Sequence, residues 1–293
     1  MPAGESPSPF RAAVEARMQS HETRLCVGID PIWEELPPPV LGDPALTGDR
    51  IRRALTQYSC GLVEAVERHA ACVKFQVAFF ERFGSTGYRA LEDSVRFAKK
   101  RGLPVIADAK RADIGSTAKA YAQFLLTDQG LDADAVTVMP YMGSESIEPF
   151  LGLKGKMVFV VARSSNPSGA ELQLLELADG RRVYEAVVDL VTRLEAWGKG
   201  TELGLVVGAT DPVVLREARV RAPRAMILVP GVGAQGGLPA DVIAAAGSEP
   251  GSIVVNASRS IYYAAEGPGF AEAAAGAARQ LRDELAAAAS PAA

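Results

Sequence analysis

The feature that most limits the folds open to this chain is a series of short apolar runs separated by stretches with helical spacing. The runs are Leu25–Ile29, Cys72–Val77, Pro104–Ala107, Ala135–Met139, Met157–Ala162, Gly204–Val207, Met226–Val229 and Ile253–Val255. Several are nearly continuous in Val, Ile and Leu. A strand with one wet face would alternate, so these read as strands covered on both faces. In the intervals, Ile51, Leu55, Tyr58, Leu62 and Val66 step by three or four residues, as do Tyr184, Val187, Val188, Val191 and Leu194. Val213, Val214 and Ala218 follow Asp211-Pro212, a pair suited to a helix start because Asp can cap and Pro fits the first turn. A last, Ala-rich helix spans about Phe270–Leu285. Strands alternating with helices imply parallel pairing through right-handed crossovers. Eight such units predict an α/β fold, a closed (β/α)8 TIM barrel; a doubly wound open sheet is the alternative. The 293 residues form one domain on this reading, with residues 1–15 and 287–293 as flexible tails. The LPPPVLGDPALTGD stretch and the connection from Arg163 to about Gly180 read as irregular.

Composition narrows the partners. Lys and Arg number 31 against 35 Asp and Glu, a net charge of −4, and no basic run is longer than Lys99-Lys100-Arg101. Binding to the nucleic-acid backbone needs a basic surface to displace condensed counterions, so no nucleic-acid partner is expected. No apolar run approaches the roughly 20 residues that span a bilayer. The start, MPAGESPSPF, lacks a basic segment followed by an apolar one, so no signal peptide is visible and a cytoplasmic location is expected. Cys26, Cys60 and Cys72 are odd in number and lack CxxC spacing, which argues against a disulfide framework or a structural zinc site. His21 and His69 stand apart, which weakens triad and multi-His metal chemistry together.

The charged residues that interrupt the apolar runs carry the chemistry. In VIADAKRADIGSTAKAY, Asp108 and Lys110 are two apart and share a face on an extended strand. They stand at the strand's C-terminal end, where barrel active sites are built. Asp113 follows in the turn into a helix. Carboxylates flanking Lys110 favour its charged form, that of a proton donor. Lys74 lies inside the apolar VKFQVAFFE run, where an unpaired ammonium is costly, and VGIDP puts Asp30 at the same rim. Asp30, Lys74, Asp108 and Lys110 can therefore satisfy one another. Across the barrel, Gly231, Gly233, Gly236 and Gly237 of PGVGAQGG permit close backbone approach and free N–H groups toward an anion. Arg259 follows the last strand in NASRSIYYA, and its fork suits a phosphate. Loops after strands seven and eight are the frequent phosphate site of such barrels.

Together, VGIDP, VKFQVAFFE, ADAKRADIGSTA, VVGAT, PGVGAQGG and SRSIYYA resemble the orotidine 5′-phosphate decarboxylase family, in the family's order, from about residue 24 to 265. The length is similar to that of its longer bacterial branch. The resemblance implies decarboxylation of orotidine 5′-phosphate to UMP with no metal, pyridoxal or other cofactor. It implies that Lys110 stabilises and protonates the C6 carbanion beside Asp108, and that Asp30 and Lys74 hold the ribose. Asp113 and Thr117 would reach the neighbouring subunit's site, which makes a homodimer part of the mechanism. Gly233, Gln235 and Arg259 would hold the phosphate, with Gln235 also reaching the pyrimidine. The serine for the pyrimidine falls in ARSSNPSGAE, where Ser165 is chosen and Ser164 and Ser168 are the alternatives. Rival readings are a Mg-dependent sugar-phosphate decarboxylase of a related barrel family, an aldolase with a Schiff-base lysine, and an inactive UMP-binding barrel.

Overall fold

The computed structural model describes residues 7–42, 47–196, 200–233, 235–265, 267 and 269–290. Eight parallel strands close into a barrel in sequence order, each hydrogen-bonded to the next and β8 to β1. They are β1 (Leu25–Ile29), β2 (Cys72–Gln76), β3 (Val105–Arg111), β4 (Ala135–Val138), β5 (Met157–Arg163), β6 (Glu202–Val207), β7 (Met226–Pro230) and β8 (Ile253–Ala257). Every residue of β1, β4, β5, β6 and β8 is buried, as expected of strands lined by side chains within and helices without. The closed ladder excludes the open-sheet alternative.

The helices follow the apolar spacing. In Gly48–Val66 the buried face is Leu55, Tyr58, Leu62 and Val66, with Ala54, Ser59 and Val63 beside it. In Val183–Glu195 it is Tyr184, Val188, Val191 and Leu194. Asp211 caps Pro212–Arg221 by accepting from the Val214 N–H. The crossover after β4 departs from the regular unit: among the described residues it holds two 3-10 turns, Ser144–Ser146 and Glu148–Phe150, and no α-helix. No helix among the described residues is long and apolar enough to cross a membrane.

The ends differ from expectation. The expected tail over 1–15 is corrected from Pro9 onward, because helix Pro9–Ser20 plugs the N-terminal mouth of the barrel. Phe10, Val14 and Met18, one turn apart, join the barrel interior with Cys26, Ile106, Phe159, Met226 and Val254. Ser8 caps this helix by accepting from the Arg11 N–H at 3.2 Å, and both Ser8 and Arg11 bind Glu202 at the start of β6. At the other end, helix Phe270–Ala289 carries order past residue 287. Residues 1–6 and 291–293 lie outside the described residues.

Candidate active site

With its N-terminal mouth plugged, the barrel is open at the C-terminal ends of its strands, over a cavity of about 760 Å³. That is within the ~300–1,000 Å³ of small-molecule sites. The floor has two halves. Lys74, Gln76, Asp108 and Thr137 line the β2–β4 side, and Val161, Val206 and Leu228 line the β5–β7 side.

Asp108 is the centre of the polar half and is only 5% exposed. Its Oδ1 accepts from Lys110 Nζ at 2.5 Å and from Thr137 Oγ1 at 2.8 Å. Its Oδ2 accepts from Lys74 Nζ at 2.9 Å and Gln76 Nε2 at 3.3 Å. Burial by itself would raise the Asp108 pKa. The charges and hydrogen bonds of Lys74 and Lys110 overturn that and hold the carboxyl well below the usual range. Lys74 is the mirror case. Burial would strip its proton, but Asp108 and Asp30, the latter 4.0 Å away, hold its pKa above the ordinary lysine value. The buried pair therefore stays ionised, as a desolvated ion pair requires when its remaining valences are filled.

Lys110 reaches Asp108 by a different route from the one the i, i+2 spacing suggests. Its φ is +44°, in the left-handed region that costs a side-chain-bearing residue about 1–2 kcal/mol. Between Ala107 and Arg111, β3 takes four steps while β4 takes two, from Val136 to Val138. The intervening residues bulge out of the ladder. This lifts Lys110 into the mouth, where its side chain is 44% exposed while Asp108 stays below. Behind the bulge, Arg111 pairs with Glu81 and lies over the Tyr121 ring at 5.0 Å, which fixes the far end of β3.

Asp113 corrects the picture of a lysine held between two acids of one chain. Its Oδ1 accepts from the Ile114 N–H at 2.8 Å, and neither it nor Thr117 lines the cavity. Thr117 is exposed, on helix Gly115–Leu126.

Asp30, just past β1, faces the cavity with its Oδ1 buried and without a hydrogen-bond partner among the described residues. Such a carboxylate oxygen lacks a donor that a ligand hydroxyl can supply. Gly28, one turn of the pleat below, leaves room for Ser258: a Cβ there would stand 1.8 Å from Ser258 Oγ.

On the opposite side, Arg259 begins a short helical turn, Arg259–Tyr262, and lines the cavity with its side chain outward. No carboxylate pairs with it among the described residues. The glycine loop after β7 corrects one expectation. The N–H groups of Gly233, Gly236 and Gly237 donate to Gly237, Gly233 and Gly231 carbonyls, so these three are spent within the loop. Gly233 itself does not line the cavity; Gly231, Val232 and Gln235 do. Gly231 has φ +103° and sits beneath two side chains: a Cβ there would lie 2.8 Å from Gln235 Oε1 and 3.0 Å from Ser165 Cβ. Glycine thus lets Ser165 and Gln235 converge.

The three candidate serines separate. Ser164 lines the cavity but is tied through its N–H and hydroxyl to Gln173. Ser168 lies outside and accepts from Asn166. Ser165 lines the cavity with its hydroxyl unengaged by any described residue, which favours it over the other two. Sequence reasoning missed Gln76, Thr137, Asn256 and the serine-holding Gln173. Gln76 was within reach, since it repeats on β2 the i, i+2 step from Lys74. Thr137 reads in the sequence as an ordinary β-branched strand residue. Among the described residues no cluster of three or more His, Cys, Asp and Glu is arranged to hold a metal ion.

The chain is 42% identical to the orotidine 5′-phosphate decarboxylase of Roseiflexus castenholzii, over 94% of this chain and 97% of the relative. It is 42% identical to that of Haloarcula marismortui, over 92% and 95%. Among solved structures, Leishmania donovani OMP decarboxylase superposes with a TM-score of 0.78 at 35% identity, covering 96% of this chain and 98% of that one. The family model described as orotidine 5′-phosphate decarboxylase / HUMPS matches residues 23–274, so the chain belongs to that family.

Proposed function

We propose that this chain decarboxylates orotidine 5′-phosphate to UMP and CO2, the last step of de novo pyrimidine nucleotide biosynthesis, without a cofactor. The observation that carries the reading is Asp108 gripping Lys110 and Lys74 on one side of a cavity whose other side presents Arg259, Gln235 and Ser165. Breaking the bond from C6 to the carboxylate leaves an electron pair on C6. Preorganised positive charge must stabilise it, since the pyrimidine delocalises it poorly. Lys110 supplies that charge, donates its Nζ proton to C6, and regains one from solvent. Asp108 stands near the departing carboxylate and keeps Lys110 in place.

Asp30 Oδ1 and Lys74 bind the ribose hydroxyls, Ser165 the pyrimidine, and Gln235 bridges the pyrimidine and the phosphate. Arg259 clamps the phosphate, with the cavity-lining Gly231 and Val232 beside it. The phosphate is remote from C6, so its binding energy holds the productive state rather than acting on the bond itself. Asp113 and Thr117 serve the neighbouring site of a homodimer. The four donors already on Asp108 favour this reading over a Mg-bound enediolate, for which that carboxylate would need a free oxygen lone pair.

The test is loss of orotidine 5′-phosphate absorbance with purified, EDTA-treated protein. Wild type should turn over undiminished by EDTA. Lys110→Ala should fold and bind UMP yet lose decarboxylation by more than the about 10²–10⁴ of a general acid alone. Activity that needs added Mg²⁺, or near wild-type turnover in Lys110→Ala, would overturn the proposal.

A further inference from the structure

Among the described residues, Thr137 is the one side chain that hydrogen-bonds both the backbone of Lys110 and the carboxylate of Asp108. Its Oγ1 accepts from the Lys110 N–H at 3.0 Å and donates to Asp108 Oδ1 at 2.8 Å. A hydroxyl has a single proton. Donating it to Asp108 leaves the lone pairs for Lys110, so both contacts hold at once with one polarity. Thr137 is 1% exposed, and its β-branched side chain on β4 has few rotamers to choose from.

The contacts meet where the backbone is least regular. Lys110 adopts φ +44°, and the β3–β4 ladder skips from Ala107 to Arg111. Within that gap Lys110 has no partner in the β3–β4 register, and its N–H donates to Thr137. A left-handed, non-glycine residue persists only when its surroundings over-determine it, and the Thr137 hydroxyl supplies one such constraint on the Lys110 backbone.

We infer that Thr137 is a positioning residue for the decarboxylation: it holds Lys110 in its bulge and orients Asp108, so that Nζ stands ready at C6. This rests on the reading of Lys110 as the proton donor. Thr137→Val keeps the shape and removes both hydrogen bonds. Thr137→Ser keeps the hydroxyl and loses only a methyl group.

Misplacing a reacting group by about 1 Å can cost about 10²-fold. Thr137→Val should therefore lower kcat by about 10²-fold while KM and UMP binding change less than about threefold. Thr137→Ser should restore kcat to within about threefold of wild type. If the valine variant does not fold, Thr137→Cys, of similar size with weaker donor and acceptor, carries the same expectation of a fall in kcat alone. Wild-type kcat in the folded valine or cysteine variant would overturn the inference. So would a serine variant as impaired as the valine one, or a loss carried by KM. An active Lys110→Ala sinks the catalytic reading itself, whereas an inactive Lys110→Ala beside an unimpaired Thr137→Val sinks the positioning role alone.

Discussion

Asp108 collects donors from three strands: Lys74 and Gln76 of β2, Lys110 of its own β3, and Thr137 of β4. A group so placed ties stability to pH with a definite sign. Its folded pKa lies below the ordinary 3.8, so the folded state resists binding the proton that the unfolded chain accepts. Its contribution is fully present above that value and is lost as pH falls toward the folded pKa. Lys74, with a raised folded pKa, contributes fully below its ordinary 10.5 and loses that contribution only at more alkaline pH. Asp108→Asn should therefore lower stability at pH 7, by about 3–5 kcal/mol for a broken buried pair. The gap to wild type should narrow as the pH drops below 4. Urea midpoints of both proteins between pH 7 and 3 check this; parallel curves would show that Asp108 is not the linked group. On this expectation, the carboxylate proposed to organise the lysines for chemistry also anchors the polar half of the barrel floor.

At the level of elements, helix Pro9–Ser20 shows how a barrel closes the end it does not use. Phe10 enters the interior and meets Phe159 of β5 edge to face, with centroids 6.1 Å apart. Phe10→Ala should cost about 3–5 kcal/mol, as for other buried aromatics. The site lies at the opposite mouth, so kcat below the unfolding transition should hardly change. A thermal melt beside a kcat measurement tests both halves, and an unshifted melt would mean that the plug is not part of the core. The spacing of this helix was present in the chain, since Phe10, Val14 and Met18 recur every fourth residue. Three apolar side chains after a Pro/Ser-rich start form too short a pattern to outweigh the polar residues around them. The eight strands were legible because burial on both faces leaves nearly unbroken Val/Ile/Leu runs. The pairing of Lys74, Asp108 and Lys110 was legible because charges in such runs must find one another. The bulge that delivers Lys110 was not, for its cause is the register of β3 against β4 rather than any local turn residue. Gln173 was hidden for a related reason: it holds Ser164 from nine positions away, inside a connection with no periodic pattern.

For the whole molecule, the question is where Asp113 and Thr117 act. Both stay out of the cavity of their own barrel, although Asp113 is three residues from Lys110. The loops after β3 and β4 expose apolar side chains, with Ile114 at 43%, Met142 at 53% and Tyr141 at 80%. In the proposed homodimer a second copy docks on this face and covers them, and the Asp113 of one chain is expected at the Lys110 of the other. Lys110→Ala and Asp113→Ala should each be inactive alone. In their heterodimer one site carries both defects and the other neither. A two-fold dimer then recovers about half of wild-type activity per heterodimer, and about a quarter in a random equal mixture, where half the dimers are mixed. If Asp113 served its own barrel, every site would keep one defect and nothing would return. Subunit exchange is followed by native mass spectrometry of one isotope-labelled variant, alongside the decarboxylation assay. A mixture that stays inactive once mixed dimers are seen would rule out the shared site, and a chain that runs as a monomer at assay concentration would rule it out sooner.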